Sequence, residues 1–136
     1  MEKKGNKKIK RILILSAILL FVIVAVVFFL MSQQINKYAE QDFTMVNISD
    51  IPNGVYEGSA SALLVTAQVE VTVRDGRILR VNLPEHSHGP GYGAEAICDS
   101  IVKNNSPDVD SISGATASSV IIKTAVLEAL ISGETP

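Results

Sequence analysis

The sequence predicts an α+β protein, a small antiparallel sheet with helices on one side, preceded by one N-terminal transmembrane helix. Three observations carry this. Val69, Val71 and Val73 alternate with Gln68, Glu70 and Thr72, the period of two expected of a half-buried strand. Two later stretches repeat apolar residues at helical spacing. Residues 12–31, ILILSAILLFVIVAVVFFLM, carry no charge, and Ser16 is their one polar side chain.

Those twenty residues rise about 30 Å as a helix, the thickness of a bilayer's hydrocarbon. Lipid offers backbone amides no partner, so the segment must be helical to insert. Ser16 can satisfy its hydroxyl on a carbonyl one turn back. The run is longer than the apolar core of a cleaved secretory signal, and the following MSQQINKY offers no small-residue cleavage site, so an uncleaved anchor is expected. Ahead of it, residues 1–11 hold Lys3, Lys4, Lys7, Lys8, Lys10 and Arg11 against Glu2 alone. That basic head stays cytoplasmic under the positive-inside tendency and places everything after Met31 outside.

The remaining 105 residues carry six bases against 13 acids, a balance that disfavours nucleic acid and anionic lipid as partners. Residues 32–50 are polar with scattered apolar positions and suit a stalk or a short helix continuing out of the bilayer. Pro52, Asn53 and Gly54 mark a turn, and GVYEGSA reads as a short strand. A hairpin follows from Ala62 to Leu83. Asp75-Gly76 supplies its turn, and Leu79, Val81 and Leu83 resume the alternation against Arg80 and Asn82. Pro84 is expected to end that strand, leaving EHSHGPGYG (85–93) as a loop.

Ala94, Ile97 and Ile101, with Cys98 and Val102 beside them, fall at helical spacing and stop near Asn104-Asn105-Ser106-Pro107. Cys98 is the single cysteine, so no intrachain disulfide can form, and it reads as a small buried residue of this helix. A second helix is expected from Ala117 to Ile131, with Ile122, Val126, Ala129 and Leu130 on one stripe.

Between the helices lies Asp110-Ser111-Ile112-Ser113-Gly114-Ala115-Thr116, a hydroxyl-rich loop feeding a helix N-terminus. Free amide hydrogens and the helix dipole suit such a place to a phosphate. On local chemistry alone the stronger reading is that Ser111 or Ser113 serves as an ordinary cap of the first turn. His86 and His88 form an H-x-H pair, but two imidazoles without further ligands suit solvent-exposed loop positions better than a metal site. Nothing resembles a G-x-S-x-G elbow or an ordered triad, which argues against a hydrolase.

The string D-S-I-S-G-A-T resembles the D-x-x-[ST]-G-A-T flavinylation motif of the FMN-binding domain family. That family includes the C subunit of the sodium-translocating NADH:quinone reductase, the G subunit of Rnf complexes and small exported flavoproteins. GVYEGSA, V-x-V-x-V, DGRI and PGYG precede the motif in the family's order, so the resemblance covers about residues 53–131. It implies a covalent FMN whose phosphate is esterified to Thr116, with Asp110, Ser113, Gly114 and Ala115 completing the motif. Pro90, Gly91, Tyr92 and Gly93 match residues lining the flavin, and Tyr92 could stack on the isoalloxazine or pack on the domain edge. Where the family commonly has Glu-Thr before that proline, His88-Gly89 stands here.

A threonine hydroxyl is a poor nucleophile without a base or metal, and the motif has no His or Lys. This agrees with the family's use of a separate magnesium-dependent flavin transferase that consumes FAD. Gly114 and Ala115 would keep bulk away from the incoming phosphate, and Asp110 would cap a turn or help position the transferase's metal.

The organisation expected is a cytoplasmic head (1–11), an anchor (12–31), a stalk or linker (32–52), the FMN-binding domain (53–132) and a tail (133–136). With the resemblance, it describes a single-pass protein of a bacterial cytoplasmic membrane. Its exported flavin domain would relay electrons between membrane redox partners, quinone-linked or otherwise. The alternative is an assembly or binding subunit that keeps the fold without flavin. So short a chain shows no substrate domain of its own, which makes a carrier or complex subunit a better reading than a stand-alone enzyme.

Overall fold

The computed structural model describes residues 3–62, 64–87 and 93–134. It divides into two compact units, residues 1–33 and 34–136. The first is the bulk of helix α1, Lys3–Ala39. From Ile12 to Leu30 its apolar side chains stand exposed around the whole circumference. A helix apolar on every face is stable only where the surroundings are apolar too, which is consistent with a single membrane span. Ser16 Oγ donates to the Leu13 carbonyl at 2.9 Å, the local bond that removes its polarity from the surface.

The second unit contains a three-stranded antiparallel sheet, β1 Gly54–Ala62, β2 Val65–Arg74 and β3 Arg77–Ser87, in the order β1-β2-β3. Helix α2, Ala96–Asn104, packs on β3, and α3, Thr116–Glu134, packs on β1 and β2. The fold is α+β, as expected. β2 keeps strict alternation: Val65, Ala67, Val69, Val71 and Val73 are buried beneath the helices, while Thr66, Gln68 and Arg74 face water. Each buried valine contributes about 1.5–3 kcal/mol relative to an exposed one.

The hairpin turn is Asp75-Gly76, both at positive φ (52° and 70°), which matches the right-handed twist of the flanking strands. Asn53 Oδ1 accepts the Asp75 amide at 2.7 Å and so ties this turn to the approach to β1. Asn105, left-handed at φ 51°, closes α2, and its Oδ1 accepts the Ile78 amide at 2.8 Å. One asparagine thus ends a helix and fixes it to the sheet.

β3 departs from the simple alternation. Thr72 pairs with Arg80 but Val73 pairs with Ile78, an extra residue on β3 that turns Leu79 outward and puts Ile78 in the core. A second irregularity, between Gln68–Glu85 and Glu70–Asn82, absorbs Pro84. The strand therefore continues through Pro84 to Ser87 instead of ending there. Proline is tolerated because β3 is an edge strand and the irregularity spares a ladder hydrogen bond.

α3 also differs from its expected single stripe, because every residue from Ser118 to Leu127 is buried. The sheet covers one side. Residues after the apolar helix help to cover another: Phe43, Val46, Ile48 and Ile51 are all buried, Phe43 lies over Lys123, and the Asn47 amide donates to Glu134 Oε1 at 3.2 Å. The segment expected as a stalk is thus partly a third wall of the core. α3 itself is apolar and long enough to pass for a membrane span, but it is 72% buried within the domain, as a core helix is.

β1 approaches α3 closely at Gly58, where an added Cβ would sit 2.6 Å from the Ala129 nitrogen and closer still to the Ala125 carbonyl oxygen. Only glycine admits that approach.

Candidate functional site

The segment 110–116 enters α3 from an exposed turn. The Ala115 amide donates to the Ile112 carbonyl at 3.0 Å, and the Ser119 amide to the Ala115 carbonyl at 2.9 Å, the first bond of the helix ladder. Ser119 Oγ, fully buried, accepts the Ile112 amide at 3.0 Å. The capping expected of Ser111 or Ser113 is not observed. Among the described residues neither hydroxyl makes a hydrogen bond, and Ser119 holds the turn from inside the helix instead.

Thr116 is the first residue of α3 and is exposed. Its hydroxyl makes no hydrogen bond among the described residues. Ser113 and Gly114 are exposed beside it, and Gly114 adopts φ 80° with nothing within 4 Å of where a Cβ would lie. The glycine is therefore required by its left-handed backbone and not by crowding. Ala115 is 2% exposed, so its methyl serves the core and not the space near Thr116. An open, unbonded hydroxyl beside bare backbone at the N-terminus of a 19-residue helix fits a phosphate ester, since the helix dipole favours the negative charge there.

Asp110 is exposed and makes no hydrogen bond among the described residues, so it does not cap a turn. Its carboxylate acts electrostatically on Lys123, as does that of Asp108. Lys123 is the residue that the motif reading missed. It is 8% exposed, donates from Nζ to the Val109 carbonyl at 2.6 Å, and stands 4.4 Å from the centroid of the Phe43 ring. Burial lowers its pKa from the ordinary 10.5, and Asp108 and Asp110 work in the opposite direction. Its signal in the sequence is a lone cation within an otherwise uncharged helical run, Val120 to Leu127. Lys123 cannot serve Thr116 as a base, because two helical turns separate them by about 10 Å.

Pro90, Gly91 and Tyr92, with His88, lie outside the described residues. Gly93 is described: exposed at φ 91°, it accepts the Ala96 amide on its carbonyl at 3.3 Å and leads into α2. The histidine expectation needs correction. His86 lies on β3, not in a loop, its side chain is only 5% exposed, and its Nδ1 stands 3.2 Å from Glu95 Oε1. That contact joins the C-terminal end of β3 to the start of α2. Among the described residues no three His, Cys, Asp or Glu side chains gather to hold a metal ion. Cys98 is the small buried helix residue expected, its thiol pushed up to about 11, chiefly by burial and also by Asp99 and Glu95.

The model of the FMN-binding domain matches residues 65–131, from β2 through most of α3, and so includes the whole 110–116 turn. Searches of curated proteins and of solved structures returned no match. With its α+β fold and the exposed Thr116 turn inside the matched region, the chain carries an FMN-binding domain over residues 65–131.

Proposed function

We propose that this flavin-binding protein carries its FMN covalently, through a phosphoester to Thr116, and relays electrons between membrane redox partners on the outer side of a bacterial cytoplasmic membrane. The observation that carries the attachment is Thr116 itself: exposed, without a hydrogen bond among the described residues, and at the N-terminal end of α3. Bound flavin supplies one- and two-electron chemistry, while the protein supplies position and environment.

The chain's residues divide the work. The left-handed Gly114 turns the backbone so that Thr116 begins the helix, Ala115 anchors the turn in the core, and the α3 amides and dipole stabilise the ester's charge. No His, Lys or carboxylate bonds to the Thr116 hydroxyl among the described residues, so a separate magnesium-dependent transferase is the partner that activates it. In that transfer Thr116 would take the FMN phosphoryl group of FAD as an ester on its oxygen, with the pyrophosphate bond broken, AMP as the leaving group and the hydroxyl proton released. Asp110, exposed on the same turn, would help to position the transferase's metal; an Asp110→Asn variant flavinylated at the wild-type rate would remove that role. The apolar helix, with its basic start inside, would hold the domain beside quinone-linked or other redox proteins.

Co-expression with an active flavin transferase, followed by denaturing electrophoresis, tests the attachment. The wild-type band should fluoresce, Thr116→Val should be dark, and Thr116→Ser should retain signal. A dark wild-type band would favour instead a binding subunit that keeps the fold without flavin.

A further inference from the structure

Lys123 is a costly residue for the place it occupies. A lysine with so little exposed surface in an apolar helix gives up part of its hydration, which is destabilising unless its charge is satisfied, and an apolar side chain of like size would pack there without that penalty. Its partners come from two directions. Its Nζ donates to the Val109 carbonyl at 2.6 Å and stands 4.4 Å from the centroid of the Phe43 ring. Asp108 and Asp110 act on it from the same loop as Val109, so their negative charge draws that loop toward α3. Ser100, Asn104 and Ser111 complete the wall of the shallow cleft in which it ends. Phe43 belongs to the segment that follows the apolar helix, and Val109 immediately precedes the first residue of the acceptor motif.

From this geometry we infer that Lys123 is a positioning residue for the flavin acceptor. It fastens the 108–111 loop to α3 and to Phe43, and thereby presents the 110–116 turn in one conformation. The inference deepens the reading of Thr116 as the attachment point and rests on it. Lys123 acts through the loop: its contacts are with Val109 and Phe43, and no hydrogen bond joins it to Thr116 among the described residues.

The test uses the full-length, unflavinylated chain in detergent, with Lys123→Met and Lys123→Arg. Methionine keeps an unbranched apolar stem beneath Phe43 while deleting charge and donors. Hydrogen exchange of peptides spanning 108–116 should quicken about tenfold in the Met variant, the scale of one lost charge-assisted bond. Exchange in β2 and the thermal midpoint should hold, because an apolar side chain offsets the lost ion. Arginine should restore most of the protection. With transferase and FAD, flavin should enter the Met variant about tenfold more slowly than the wild type, in step with the loosened loop. Should the Met variant not fold, Phe43→Leu removes the ring and should loosen the same peptide by roughly threefold. Unchanged exchange over 108–116 in the variant that folds would overturn the inference, as would wild-type flavin incorporation by a loosened loop. A wild-type chain that stays dark with active transferase would instead overturn the Thr116 attachment, and the exchange result would still decide whether Lys123 holds the loop.

Discussion

Ser119 Oγ accepts the amide of Ile112 at 3.0 Å, so a buried hydroxyl one turn into α3 secures the turn that presents Thr116. Ser119→Ala leaves that amide without its acceptor. The expected cost is about 1 kcal/mol, a fall of roughly 4–8 °C in the thermal midpoint of the compact unit formed by residues 34–136. Circular dichroism of the detergent-solubilised chain checks it. An unchanged midpoint would mean that the turn is held elsewhere.

Two glycines are expected to respond differently to alanine. At Gly58 the added methyl runs into the backbone of α3 at Ala125 and Ala129, and overpacking of this kind costs about 1–3 kcal/mol. At Gly114 the methyl meets nothing, and the cost is the left-handed φ of 80°, about 1 kcal/mol. Gly58→Ala should therefore show the greater loss of stability in urea unfolding, and Gly114→Ala the greater loss of flavin incorporation. The reverse order would contradict the account of both positions.

Cys98 gives the domain a pH signature. Burial, with Asp99 and Glu95, raises its folded pKa from an ordinary 9.0 to about 11. The folded state thus holds the thiol proton more tightly than the unfolded chain does. The associated stability is present below pH 9 and is lost as pH rises through about 11. Unfolding measured at intervals from pH 8 to 11 should show stability falling by about 1–2 kcal/mol from this group, after allowance for solvent screening. Cys98→Ala should flatten that slope. Alkylation at pH 8 should be slow in the folded protein and quick once it is unfolded.

The proposed orientation makes its own demand. Protease added to intact spheroplasts should degrade residues beyond the apolar helix and spare an epitope on the basic head. Protection of the domain would reverse the topology.

Much of this was legible in the sequence because it rests on short-range patterns. Val69, Val71 and Val73 announced β2, Asp75-Gly76 its turn, and residues 12–31 a long apolar helix. What escaped depends on partners distant along the chain. Leu79 was expected to face the core, but a bulge on β3 replaced it with Ile78, and Pro84 lies inside the strand because that strand is an edge. α3 showed one apolar stripe on paper, yet its remaining faces are covered by the sheet and by residues 43–51. At the site, the motif singled out Thr116 and Asp110 as candidates. It could not show that Ser119, not Ser111 or Ser113, secures the turn, nor that Lys123 reaches Val109. Both bonds depend on how a loop folds back on a helix, which residue spacing does not encode.

The most direct test of the central claim is the intact mass of the chain purified from its native membrane, with peptide mapping of the 110–116 turn. The account predicts an added mass of one FMN less one water, located on Thr116 and absent from Thr116→Val. An unmodified turn, in cells whose other covalent flavoproteins carry their flavin, would contradict it.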